Sequence, residues 1–355
     1  MAKPPLELQT LVTAARTLGS GRTALYLPDA ELLSLIGLIL ADLGKNALAQ
    51  QLGDGGAVGG SYFQRPLASF EVSPFGARDF WEVLLRCQQE VEDFATYFRC
   101  LCEIHKRRRK YDVILSKQAF PTSDQIAPRA LLEFGLSDSS ALATWLTWRK
   151  WLFDLDNRAG QETGYLFEPI LSAALGGVPF SPRRSPIKRA ERPTDGRQVD
   201  CIVGCDAYEF KIRVTIAASG QGRWSEELAF PVDCRASGFN PILVVLDPTP
   251  NPRLTDLSAA FVAAGGSVYI GQDAWAHLEQ RAGPTMAVFL ETYVRRPVAN
   301  ISDLMQAPAN MTLRSVPGGD VCLTFDLPAG AYERRIVRAA SVLIQEDPDE
   351  DDLEP

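Results

Sequence analysis

Histidine is nearly missing from this chain of 355 residues: only His105 and His277 occur, far apart and remote from any other cluster of metal-ligating side chains. That excludes a histidine-based hydrolytic centre and a zinc hydrolase site, which need imidazoles at short, regular spacing. The motifs of nucleotide chemistry are missing too. Leu18–Thr23 (LGSGRT) has neither the lysine nor the upstream glycine of a phosphate-binding loop. No G-x-S-x-G elbow appears, no dinucleotide fingerprint follows a strand pattern, and no internal repeat is present. No apolar run is long enough to span a bilayer, and MAKPPLELQTL at the N-terminus has no signal core, so a cytoplasmic location with no membrane partner is expected. Seven cysteines, an odd number at irregular spacing, argue against a disulfide framework, and Cys100/Cys102 and Cys201/Cys205 are too few for zinc. They are expected to be buried thiols.

The remainder is the composition of a globular protein, 46% hydrophobic and 23% charged, long enough for two domains. The net charge of −8 disfavours a nucleic-acid partner only at first sight. Seven carboxylates and no base lie in the tail QEDPDEDDLEP (345–355), so the rest of the chain is nearly neutral and its bases are free to cluster. A tail of this composition is expected to be disordered.

Residues 1–155 read as mostly helical. Asp29 is placed to cap a helix whose apolar residues, ELLSLIGLILADLG, wrap more than one face, which predicts burial in a bundle or a dimer interface. After the glycine-rich 53–61, a second helix is expected over 77–110, ending in the bases Lys106–Lys110. One or two bases suit a helix C-terminus, and the run exceeds that need, so a phosphate-facing role stands beside the capping one. A helix over 137–155 carries Trp145, Trp148 and Trp151 as a core stripe, and another over 161–175 carries Glu162 and Glu168.

The segment 196–213, GRQVDCIVGCDAYEFKIR, is the stretch around which the chain is organised. It reads as a hairpin: a strand over 197–203, a tight turn Gly204-Cys205-Asp206, and a strand over 207–214. Such a hairpin sets Asp200 almost opposite Glu209, with Lys211 on the same face as Glu209 and Phe210 and Ile212 turned into a core. Two carboxylates suit a hard divalent cation, and a neighbouring lysine can orient or deprotonate the water that attacks a phosphorus. The same spacing also fits an ordinary exposed strand face; what favours the chemistry is the cost of charge inside an apolar strand.

Glu168, Asp200 and Glu209-Phe210-Lys211 resemble the PD-(D/E)xK nuclease superfamily. The longer run 208–250, with EFKIRVTIAASGQGRW, EELAFPVDC and PILVVLDPTPNPRL, is similar to the ApaLI-type restriction endonucleases and covers a further part of the chain. Val199 stands where the superfamily motif has proline. The resemblance implies an α/β fold with a restriction-endonuclease-like αβββαβ core and mixed sheet, its first strand supplied near 178–182. It implies Mg²⁺ held by Asp200 and Glu209, water handled by Lys211, and Glu168 assisting a second ion or positioning the first. The substrate would be double-stranded DNA, cut by a homodimer at a palindrome of the GTGCAC kind, with a cognate methyltransferase in the same system. A repair or junction-resolving nuclease on the same core, or a non-catalytic DNA-binding protein, remains open.

The expected division is a helical region 1–155, a nuclease core 156–296, an extension 297–343 with a hairpin about Pro317-Gly318-Gly319-Asp320, and the acidic tail 344–355. The segment 176–197 is basic and cannot be one helix, having prolines at 182, 186 and 193. Its Arg183, Arg184, Lys188, Arg189 and Arg197 are expected to contact DNA, with a solvated charged loop as the alternative. Gln221 and Arg223 join them, since the small residues 217–222 let backbone N–H groups approach a phosphate at the start of a helix.

Overall fold

The computed structural model describes residues 4–19, 24–53, 61–213, 221–304 and 308–337, without the side chains of 221–223. The tail and the loop 217–220 therefore lie outside the described residues, as do the side chains of Gln221 and Arg223. Two compact units divide the chain: one of Met1–Arg16, Leu27–Glu103 and Gly164–Asn300, the other of Thr17–Tyr26, Ile104–Thr163 and Ile301–Pro355.

The first unit is built on a five-stranded sheet. Its strands are β1 (Val178–Phe180), β2 (Val199–Val203), β3 (Asp206–Lys211), β4 (Asn240–Val245) and β5 (Ser267–Ile270), adjacent in chain order. β1, β2 and β3 pair antiparallel, and β3, β4 and β5 pair parallel. With α1 (Ser139–Ala174) before β1 and α2 (Gln221–Ala236) between β3 and β4, the αβββαβ order is met. The β2–β3 loop is two residues, Gly204-Cys205, and Gly204 takes the positive φ of 59° that its first position demands. The strand expected from Arg197 begins at Val199, and the one expected over 207–214 is Asp206–Lys211 among the described residues, Val214 lying outside them.

Alternation along β3 puts Ala207, Glu209 and Lys211 on one face of the sheet. That face packs Ala207, Leu243 and Val245 against Phe230 and Cys234 of α2 and against Leu254, Leu257 and Phe261 of α3 (Pro252–Ala263). The opposite face carries Tyr208 and Phe210, stacked with ring centroids 5.7 Å apart. There Tyr208 meets His277 of α4 (Gln272–Leu290) at 3.2 Å, so one of the two histidines is a packing residue.

The helix Asp29–Asp42 is buried on all sides over Glu31–Leu40, within this unit. Asp29 is its first helical residue and pairs with Arg16; the residue at the cap position is Pro28, which makes no side-chain bond. The helix expected over 77–110 is two, Phe80–Glu90 and Phe94–Lys117, parted where Val91 is extended and Asp93 has φ 54°. All seven cysteines are free thiols, and six are buried, Cys205 in the hairpin loop being exposed.

In the second unit Trp151, Leu155, Val321 and Ile336 form a core with Trp148 against it, whereas Trp145 is 52% exposed and leaves the expected stripe. The expected C-terminal hairpin, Met311–Ser315 with Val321–Leu327, gains a third antiparallel strand, Gly330–Ile336. The two helices expected over 137–155 and 161–175 are the single α1. The start of the basic run is turned inward and away from a phosphate: His105, Lys106 and Arg107 are buried, whereas Arg108, Arg109 and Lys110 are half-buried. Lys106 donates to the Thr17 carbonyl at 2.9 Å, and Arg107 and Lys110 each meet Glu162 at 3.0 Å. No helix among the described residues is long and apolar enough to cross a membrane.

Candidate active site

The β2–β3 register, Cys201 opposite Tyr208 and Ile202 opposite Ala207, places Asp200 opposite Glu209 when continued by one step. The strands are tied there by the Phe210 N–H, which donates to Asp200 Oδ2 at 2.8 Å. Lys211, two residues along the same face, brings Nζ to 2.7 Å from Glu209 Oε1. Glu168, six residues before the end of α1, is close enough for its charge to act on Asp200.

Electrostatics at this point are those of crowded anions. Burial pushes the Asp200 carboxyl well above its ordinary value, and the charges of Glu209 and Glu168 add to the push. Lys211 and the Phe210 N–H oppose it without prevailing. For Lys211, burial acts to lower the ammonium, but Glu209, Glu227 and Asp200 together outweigh it and hold the side chain above its usual range. These acids hold Lys211 in its charged form in this arrangement.

A surplus of carboxylates around a partly buried point is what a divalent cation would balance. Among the described residues no three His, Cys, Asp or Glu are drawn together closely enough to enclose an ion. Asp200 and Glu209 are two carboxylates on adjacent strands, and a small hard cation binds through one or two with water completing its shell. The residues fit such an ion once Glu209 turns from Lys211.

Sequence reasoning missed Glu227. It lies on α2, its Oε1 3.8 Å from Lys211 Nζ. The signal was available: Glu227 sits three residues before Phe230 and seven before Cys234, on the stripe by which α2 meets the sheet. A carboxylate on a core-facing stripe needs a partner.

The basic segment divides in two. Arg183 and Arg184 are exposed, in the turn after β1. That turn is held close to Gly196, where a Cβ would meet the Pro182 carbonyl oxygen at 1.8 Å, so only glycine fits. Lys188–Arg189 then pairs with Arg192–Gly196 as a short antiparallel ribbon. Arg189 gives both Glu226 oxygens a bond of 2.6 Å and holds that carboxylate below its usual range. Arg197 is turned inward and does not present itself to a phosphate. Its Nη1 donates to Asp233 Oδ2 at 2.6 Å, its Nη2 to the Glu226 carbonyl, and its guanidinium lies over Phe230.

A family model described as ApaLI-like restriction endonuclease matches residues 77–295. The chain is similar to the type II restriction enzyme ApaLI of Acetobacter pasteurianus, with 51% identity over 272 residues, 73% of this chain and 72% of that one. No solved structure matches the chain.

Proposed function

The chain belongs to the ApaLI-like restriction endonuclease family, and from that premise we propose that Glu168, Asp200, Glu209 and Lys211 are its phosphodiester-cleaving centre, of the PD-(D/E)xK type, working with Mg²⁺. It is a type II restriction endonuclease, and the observation that carries the placement of its centre is the meeting of Asp200, Glu209 and Lys211 at the C-terminal end of β3. Residues 156–296, the proposed nuclease core, contain every one of these side chains.

Asp200 and Glu209 would hold the cation, and Glu168 would fix its position from α1 or help a second ion. When bound, the ion supplies Lewis-acid polarisation of the phosphate and activation of water. Lys211, kept protonated by its acidic neighbours, orients the attacking water and balances charge that grows on the phosphate oxygens. The buried Phe210 amide fixes the Asp200 carboxylate so that no side-chain freedom is lost during the reaction.

The substrate reading is double-stranded DNA at a palindrome of the GTGCAC kind. A homodimer would present one centre to each strand. The enzyme would act in the cytoplasm beside a methyltransferase that protects the same site. The test is incubation of plasmid DNA with Mg²⁺. Discrete fragments with uniform ends are expected, and Asp200→Asn should slow cutting by at least about 10³-fold while leaving specific binding intact. Cutting at the wild-type rate by Asp200→Asn would refute the site; a smear of random fragments would refute the specificity.

A further inference from the structure

We propose that Glu227 is a positioning residue for this reaction: a second anchor on α2 that takes and holds the Lys211 ammonium when Glu209 turns to the cation. This role rests on the proposed active site and adds a residue to it.

Lys211 stands between two acids. Glu209, on its own strand, holds it at 2.7 Å, and Glu227, across from α2, stands off at 3.8 Å. A carboxylate drawn onto a divalent ion gives up much of its charge to that ion, so the Glu209–Lys211 bond must weaken as the centre loads. Lysine's flexible four-carbon stem then needs another acceptor to stay at the reaction point. Glu227 is the acid in reach, and α2 is a rigid base for it because Phe230 and Cys234, one and two turns on, are fixed in the core. The adjacent acid, Glu226, is taken by Arg189, and Asp233 by Arg197. The wide 3.8 Å separation fits a contact that tightens only on loading.

The experiment compares Glu227→Gln, Glu227→Asp, Lys211→Ala, Asp200→Asn and the double variant Lys211→Ala/Glu227→Gln with the full-length wild type. Cleavage of cognate duplex gives kcat and KM; Mg²⁺ affinity is measured by calorimetry without DNA. For Glu227→Gln the expected result is a kcat loss of roughly tenfold or more, at unchanged KM. Its Mg²⁺ affinity should change by less than about tenfold, and Glu227→Asp should recover most of the rate. In the Lys211→Ala background the Gln substitution should cost nothing further, because the group it positions is gone.

Three results overturn the proposal. A wild-type kcat in Glu227→Gln, with Asp200→Asn inactive, refutes the role of Glu227 and leaves the nuclease centre standing. An Mg²⁺ affinity that falls as far as in Asp200→Asn makes Glu227 a ligand instead. An equal loss in the presence and absence of Lys211, or a Glu227→Gln protein that fails to fold while Glu227→Asp folds without recovering kcat, makes its role structural. Active Asp200→Asn and Lys211→Ala would instead sink the active-site reading itself.

Discussion

Removing the Arg197 guanidinium should destabilise the protein without touching its DNA contacts. Arg197→Met keeps an apolar stem over Phe230 but leaves Asp233, 6% exposed at its side chain, with only the Ala190 N–H at 2.8 Å. The Glu226 carbonyl loses its donor as well. Breaking a buried pair from one side costs about 3–5 kcal/mol, since an uncompensated charge remains. For a chain of this size that is a fall in Tm of about 4–7 °C. Adding Asp233→Asn should return part of the loss, because no buried charge then survives. The assay is thermal unfolding of the two variants, with duplex binding titrated against salt at a temperature where both are folded. An unchanged Tm together with a log–log salt slope lower by about one unit would refute the argument and return Arg197 to the DNA surface.

Two other outcomes are expected. Arg183→Ala and Arg184→Ala, at exposed positions beside the hairpin, should each weaken binding to specific and random duplex alike and lower the salt slope by about one unit; unchanged slopes in both would make this turn plain solvated surface. Asp42 accepts from Tyr293 at 2.6 Å and Tyr97 at 3.0 Å, yet burial raises its carboxyl above the ordinary 3.8 against both bonds. A raised folded-state value means the folded protein binds the proton more tightly, so this contribution is complete below about pH 4 and is lost as pH rises through the folded value. Asp42→Asn should therefore show a flatter stability–pH curve than wild type over that range in urea unfolding, and parallel curves would exclude the effect.

The αβββαβ order was legible because its punctuation is local. Gly204 marks the hairpin, and Pro241 and Pro248 stand near either end of the apolar β4. Helix ends without such marks were not. Val91-Glu92-Asp93 holds no glycine or proline to announce a break; Asp93 takes its φ of 54° as one of the few side chains that tolerate the left-handed region. Conversely, the helices expected over 137–155 and 161–175 run on as one, and the cost of Gly160 between them, about 1 kcal/mol, is small beside the packing of a 36-residue helix.

Charges were harder to read than folds, because a base declares its sign but not its partner. Arg107 looked available for phosphate until Glu162, on a later helix, was found against it. In the unit that holds the proposed centre, one element settles the matter. Helix α2 supplies Glu226 to Arg189, Asp233 to Arg197 and Glu227 to Lys211, three acids for three bases that precede it in sequence. Two of those contacts, at 2.6 Å, tie the ribbon and the link between it and β2 to the helix; the third is wider, at 3.8 Å. The wider pair falls at the one base of the three that also touches a proposed cation ligand, Glu209, which is where the proposed change of partners would take place.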